Sequence, residues 1–137
     1  MQFLSSEWCA AWTHALEALE VPPEAVANSQ RLTEGLFTVD QVVTMQDGAP
    51  SRIRMTYDQG LFSMAQLAEG SGPEATVTVR TDYETSAAIA QGRLDPAAAL
   101  TQGSIKVSGD LSVLIAAHEA LRSAADLLSE LYAATSF

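Results

Sequence analysis

Leu94-Asp95-Pro96-Ala97-Ala98-Ala99-Leu100-Thr101-Gln102-Gly103-Ser104-Ile105-Lys106-Val107-Ser108-Gly109-Asp110 is the stretch whose reading decides the fold. Asp95 followed at once by proline reads as a helix cap with Pro96 at the first helical position, where a missing N–H costs nothing. Gly103 ends that short helix. Ile105 and Val107 then alternate with Ser104, Lys106 and Ser108, the period of a strand with one apolar face. Gly109 breaks the strand and Asp110 caps a last helix. There Leu114, Ala117, Leu121, Ala124, Leu128 and Leu131 form one stripe over about six turns, predicting a single helix from Asp110 to Tyr132.

Upstream the signals are just as local. Asp82 is a candidate cap, and Ala87 to Ala90 lead to Gly92, a glycine stop. From Leu36 the period is two: Phe37, Val39, Val43 and Met45 lie on one face, Thr38, Asp40, Thr44 and Gln46 on the other. Asp47-Gly48 fits a hairpin connection. Ile53, Met55 and Tyr57 then face away from Arg52, Arg54, Thr56 and Asp58. Asp58-Gln59-Gly60 makes another turn, and Leu61 to Leu67 a third strand. Gly70-Ser71-Gly72-Pro73 breaks the chain before Val77 and Val79, which alternate with Thr76, Thr78 and Arg80. Three tight connections in succession predict an antiparallel meander with one wet face. Arg52, Arg54 and Arg80 belong to that face, within reach of Asp40 across the sheet.

The first residues add a helix. Ser5 or Ser6 before Glu7 is its start, and Trp8, Trp12, Ala15, Leu16 and Leu19 form its apolar stripe. Pro22-Pro23 is its expected end, and Glu24 to Arg31 a further short helical turn. The order helix, four strands, helices, strand, helix predicts an α+β fold. Its five-stranded, mainly antiparallel sheet has one face covered by helices, because an apolar sheet face cannot stay wet. One domain over residues 1–137 is expected.

Composition narrows the function. Seventeen acidic residues against seven basic ones give a formal charge of −10. Such a surface repels phosphate polyanions and anionic headgroups over roughly 8 Å in physiological salt. The basic residues are scattered from Arg31 to Arg122, so no nucleic-acid partner is expected. A hydrophobic fraction of 47% suits a globular protein. No run reaches the roughly 18 apolar residues of a membrane span, so no integral membrane association is expected. No secretory signal opens the chain and no peroxisomal tripeptide ends it, which predicts a cytoplasmic protein. Cys9 stands alone, which excludes an internal disulfide and a cysteine metal cluster.

In residue order the chain resembles the sterol carrier protein type 2 family over nearly its whole length. The most specific part runs from Gly92 to Asp110, where Gly92, Leu94, Asp95, Pro96, Ala99, Gly103, Ile105, Lys106, Val107, Gly109 and Asp110 fall on the family pattern. Leu100, Thr101 and Gln102 depart from it, since family members often carry aromatic residues just before that glycine. The resemblance implies a hydrophobic tunnel between sheet and helices, no cofactor, no metal and no catalytic residue. Its partner would be a hydrophobic small molecule: fatty acyl, sterol-like or another apolar metabolite. Burying about fifteen methylenes at about 0.8 kcal/mol each gives a gross gain near 12 kcal/mol. Binding that strong needs volume and apolar lining rather than a motif, so a sequence for it looks functionally silent.

The candidate lining residues are Trp12, Phe37, Met45, Met55, Phe62, Met64, Leu100, Leu114, His118, Leu121 and Leu128. Each also reads as ordinary core. The three methionines suit either an adaptable pocket or a plain interior. Trp8 and Trp12, one turn apart, read as a core seam, a ligand mouth or a homodimer contact. His118, four residues after Leu114, is either a surface side chain or a partner for a ligand headgroup, and in an enzyme it would be the base. His14 lies off the Trp8–Trp12 line and reads as solvent-facing. Glu119 and Arg122 form a surface pair at most. An enzyme acting on an apolar metabolite and a ligand-free interaction module are the competing readings.

Overall fold

The computed structural model describes residues 1–17, 19, 36–68, 72–122 and 124–137. Along the chain come α1 (Ser6–Ala15), β1 (Leu36–Thr44), β2 (Pro50–Asp58), β3 (Leu61–Leu67) and β4 (Val77–Asp82). They are followed by α2 (Tyr83–Ala90), α3 (Pro96–Gln102), β5 (Lys106–Gly109), α4 (Leu111–Arg122) and α5 (Ala125–Ala133). The architecture is α+β, with one mixed five-stranded sheet among the described residues. The expected proline stop at Pro22-Pro23, the helical turn from Glu24 to Arg31 and Gly70-Ser71 lie outside the described residues. So do the side chains of Glu119 and Arg122.

Local chemistry sets most of the boundaries. Ser5 caps α1 by accepting from the Trp8 N–H at 3.1 Å, Asp82 caps α2 through Thr85, and Asp95 caps α3 through Ala97. Gln59 and Gly60 both have positive φ, the primed turn that closes a two-residue hairpin between β2 and β3. Gly109 has φ +100, and a Cβ there would sit 2.6 Å from the Thr76 carbonyl oxygen. Glycine at that position is a requirement of the fold.

Three expectations need correction. The sheet order is β3-β2-β1-β4-β5, so the fourth strand does not continue the meander beside β3. It runs parallel to β1, with Val39 opposite Val77. Before entering β4, the chain at Gly72-Pro73 lies over the far face of the sheet. There the Pro73 carbonyl accepts from Arg54 at 2.6 Å, and Thr38 and Thr76 exchange backbone-to-hydroxyl bonds. That route delivers Val77 and Val79 to the open side of β1, on the same sheet face as Val39.

The second correction concerns the last helix, which is two helices, ending at Arg122 and restarting at Ala125. Ala124 is fully buried between them and its N–H bonds the Leu121 carbonyl, the tighter pitch of a turn. The third is that α1 ends at Ala15, well before Pro22-Pro23, in short bonds from Leu16 and Glu17 back to Thr13 and His14.

The helices lie on one face of the sheet. Phe37, Val39 and Val43 of β1, Ile53, Met55 and Tyr57 of β2, and Val77 of β4 supply its buried floor. Above them sit Trp8, Trp12 and Leu16 of the first helical segment, with Val113, Ala116, Ala117, Leu128 and Leu131 from α4 and α5. At the β3 edge, the Thr13 hydroxyl accepts from the Met64 N–H at 2.9 Å and lies 3.2 Å from its carbonyl. Ser6 donates to Gln66 on the same edge strand.

Candidate functional site

The face under the helices gathers most of the candidate lining. Trp12, Phe37, Met55, Phe62 and Leu128 are buried in one continuous apolar cluster, and Met45, Met64, Leu114 and Leu121 are half-buried against it. Leu100, 37% exposed at the end of α3, and the exposed His118 stand outside that cluster. Phe37 stacks on Tyr57 with ring centres 4.9 Å apart, and Tyr57 meets Phe62 edge-on at 5.1 Å. Aromatic pairs at these distances add directional attraction to simple burial.

At the opposite end, the two tryptophans are turned into the molecule. Trp8 stacks over Tyr132 of α5, and its indole N–H donates to the Thr135 hydroxyl at 3.1 Å. Burial pushes the Tyr132 phenol up, although a hydrogen bond with Trp12 acts in the opposite sense. Each ring has thus one apolar body and one satisfied polar tip. Cys9 is buried in the same core, its thiol pushed up to about 11 by burial. A thiol held protonated in this way is a packed hydrophobe, not a nucleophile.

α4 is seated differently from α1. Among its described side chains only Val113, Ala116 and Ala117 are fully buried, with Leu114 and Leu121 half-buried against the core. Its bulky Leu111 and Ile115 point outward, Ile115 with 53% exposure. Small side chains at a helix–sheet contact give few dispersion contacts per residue. The contrast with the tryptophan-bearing α1 is marked.

The other face of the sheet carries the site that the sequence conceals. Asp40, only 2% exposed, receives the Arg54 guanidinium in a two-bond fork at 2.7 and 3.0 Å. Arg52 donates to the same carboxylate at 2.6 Å. Arg54 is itself 8% exposed, because Gly72-Pro73 roofs it. Burial alone would raise the Asp40 pKa, but the hydrogen bonds and charges of Arg54 and Arg52 outweigh it and hold the carboxyl below its usual range. The alternation of β1 and β2 does place these residues on one face. Their burial depends on a distant segment, which no local pattern reveals.

Two hollows stand out among the described residues, and neither lies between sheet and helices. The larger, about 710 Å³, is an open groove on the outer sheet face beside the Asp40 pair, lined among others by Val42, Leu67, Thr78 and Arg80. The smaller, about 300 Å³, lies by Tyr83, Arg93 and Phe137. Among the described residues, no three His, Cys, Asp or Glu side chains come together as a metal site. No helix among them is long and apolar enough to cross a membrane.

One sheet with helices on a single flank, and a buried apolar layer between, defines a two-layer α+β protein built around its interior. The chain belongs to the SCP-2 sterol transfer family, whose model matches residues 24–122. Among solved structures it is similar to a conserved hypothetical protein of Thermus thermophilus, described as possibly a sterol carrier protein. The identity is 17%, the match covers 96% of this chain and 90% of that one, and the TM-score is 0.66. Sterol carrier protein 2 of Yarrowia lipolytica, in its apo form, matches at 12% identity over 83% of this chain and 93% of the other, with a TM-score of 0.58. Palmitated SCP2L2 of Aedes aegypti matches at 22% identity over 90% and 95%, with a TM-score of 0.54. At such identities these likenesses bear on the fold. A comparison with curated protein sequences gives no match.

Proposed function

We propose that this chain, acting as one domain, binds a lipid or other hydrophobic small molecule in the apolar layer between the sheet and its helices. It carries that molecule without transforming it. Family membership over residues 24–122 is the observation that carries the reading. The palmitated Aedes aegypti relative, of the same fold, supports an acyl chain as the class of guest.

The lining in this reading is Trp12, Phe37, Met55, Phe62 and Leu128 at the centre, with Met45, Met64, Leu114 and Leu121 at the rim. Entry requires a part of the wall to move. In this reading α4 is the wall that lifts, since only Val113, Ala116 and Ala117 of its described side chains are fully buried and its two larger contacts, Leu114 and Leu121, are half-buried at the rim. A gross transfer gain of about 12 kcal/mol for an acyl chain of about fifteen methylenes leaves room to displace such a helix and still bind at micromolar levels. The tunnel is then a property of the loaded state.

Titration with a fluorescent fatty acid tests this. Saturation at one equivalent and a shift of Trp8 and Trp12 emission are the expected results. Met64→Trp, at the half-buried rim, is expected to weaken binding roughly tenfold with the circular dichroism spectrum unchanged. Folded protein that neither saturates nor releases a lipid into organic solvent would overturn the proposal.

A further inference from the structure

The outer face of the sheet, on the far side from the helices, carries both signs of charge: Asp40, Asp58 and Asp82 share it with a group of basic residues, in a chain whose net charge is −10. Strand register places Leu67, Arg52, Val42, Arg80 and Lys106 side by side in one row across all five strands. The next row holds Arg54, Asp40, Thr78 and Ser108. Four of the seven basic residues of the chain (Arg52, Arg54, Arg80 and Lys106) therefore share this face.

Arg52 and Arg54 are committed to Asp40. Arg80 and Lys106 are not. They are directly opposite each other on β4 and β5, and among the described residues neither side chain has an ion pair or hydrogen bond. Like charges facing each other across a strand pair are destabilising unless an anion joins them. Thr78 and Ser108 are the adjacent facing pair, and among the described residues their hydroxyls also have no bonded partner. The backbone positions that carry a guanidinium, an ammonium and two hydroxyls thus mark the corners of a patch of about 5 by 7 Å. Arg80, Thr78 and Ser108 line the 710 Å³ groove, whose floor and wall continue over Val42, Leu67 and Ala75.

We propose that Thr78, Arg80, Lys106 and Ser108 form a binding site for the phosphate group of a small soluble phosphate ester, whose organic part lies along Val42 and Leu67. Four donor side chains at adjacent register positions can serve the three terminal oxygens of a phosphate better than the two of a carboxylate. The groove has the volume of a small-molecule site. The acidic remainder of the chain opposes docking on an anionic bilayer, which favours a free ester over a headgroup in a membrane. Glu74, also on the groove lining, works against the anion and sets its affinity below what the cations alone would give. The site is separate from the apolar layer and does not rest on the lipid reading.

The test is amide-shift titration of the full ¹⁵N-labelled chain with inorganic phosphate and with phenyl phosphate at low salt. Saturable shifts confined to residues 78–80 and 106–108 are expected, with phenyl phosphate several-fold tighter than inorganic phosphate. Arg80→Gln with Lys106→Gln should lower affinity roughly tenfold or more while leaving fatty-acid binding intact and the melting temperature equal or higher. Glu74→Gln should tighten binding a few-fold. Absence of shifts at tens of millimolar, or shifts that survive the double substitution, would overturn the site. Sedimentation with phosphatidylcholine–phosphatidylglycerol vesicles without any response to the soluble ester would overturn it as well.

Discussion

The two faces of the sheet solve the same problem by different physics. Under the helices, burial is apolar and redundant: Phe37, Tyr57 and Phe62 touch one another, and each can lose a neighbour without leaving a charge stranded. On the outer face, burial is ionic and singular. Asp40 holds two arginines, and Gly72-Pro73 closes the lid over Arg54. An apolar core tolerates exchange of similar volumes, whereas a buried ion pair tolerates the loss of neither member. The lesson is that a strand face patterned as polar need not be wet. It can be a second, smaller interior.

Substitutions sharpen this contrast, and the largest effects come first. Phe37→Ala should cost about 3–5 kcal/mol in urea unfolding, since it removes a fully buried ring from the aromatic cluster. Asp40→Ala should cost as much, about 3–5 kcal/mol, although it deletes far less volume, because it leaves the buried Arg54 uncompensated. A cost under about 1 kcal/mol would show that the outer face is ordinary surface, and the contrast would fail.

A pH series separates the two faces further. The folded Asp40 carboxyl titrates below its unfolded value, so between the two values the unfolded chain binds more protons and stability rises with pH. Its contribution is present above about pH 4 and lost as pH falls through the folded value. Asp40→Asn should flatten that part of the acid limb, measured by unfolding at successive pH values, and Phe37→Leu should not. A smaller effect comes from Gly109→Ala. It forces a side chain into φ +100 and against the Thr76 carbonyl, at about 1–3 kcal/mol, read as a lower urea midpoint. An unchanged midpoint would mean that β4 and β5 separate freely there.

Much of this was readable in the chain, and the reasons are local. Asp82, Asp95 and Gly103 act within one turn of themselves, and all three do in the structure what their chemistry indicates. The period of two in β1 and β2 puts Phe37 and Tyr57 on apolar faces and Asp40 and Arg54 on polar ones, and the strand register then sets the members of each pair opposite each other. Two elements of the fold escaped for a common reason. β4 pairs with β1 because of a route over the sheet, a long-range matter that Gly72-Pro73 does not encode as a turn. The break between α4 and α5 falls in an alanine- and leucine-rich stretch with neither glycine nor proline, so helical period alone runs straight through it. The candidate lining was legible only as apolar type. Side chains of identical character, such as Leu128 and Leu100, end up buried and exposed, and only packing separates them.

The hydroxyl of Thr13 has a consequence for how this protein behaves in a crowded solution. β3 is an outermost strand, and at Met64 its amide would otherwise stand open to pairing with any passing extended chain. A single threonine, delivered by a helix, occupies that socket as a neighbouring strand would. That edge is therefore covered by an element whose own seat rests on the buried Trp8 and Trp12, so loosening the helix would also bare the Met64 amide to strand pairing.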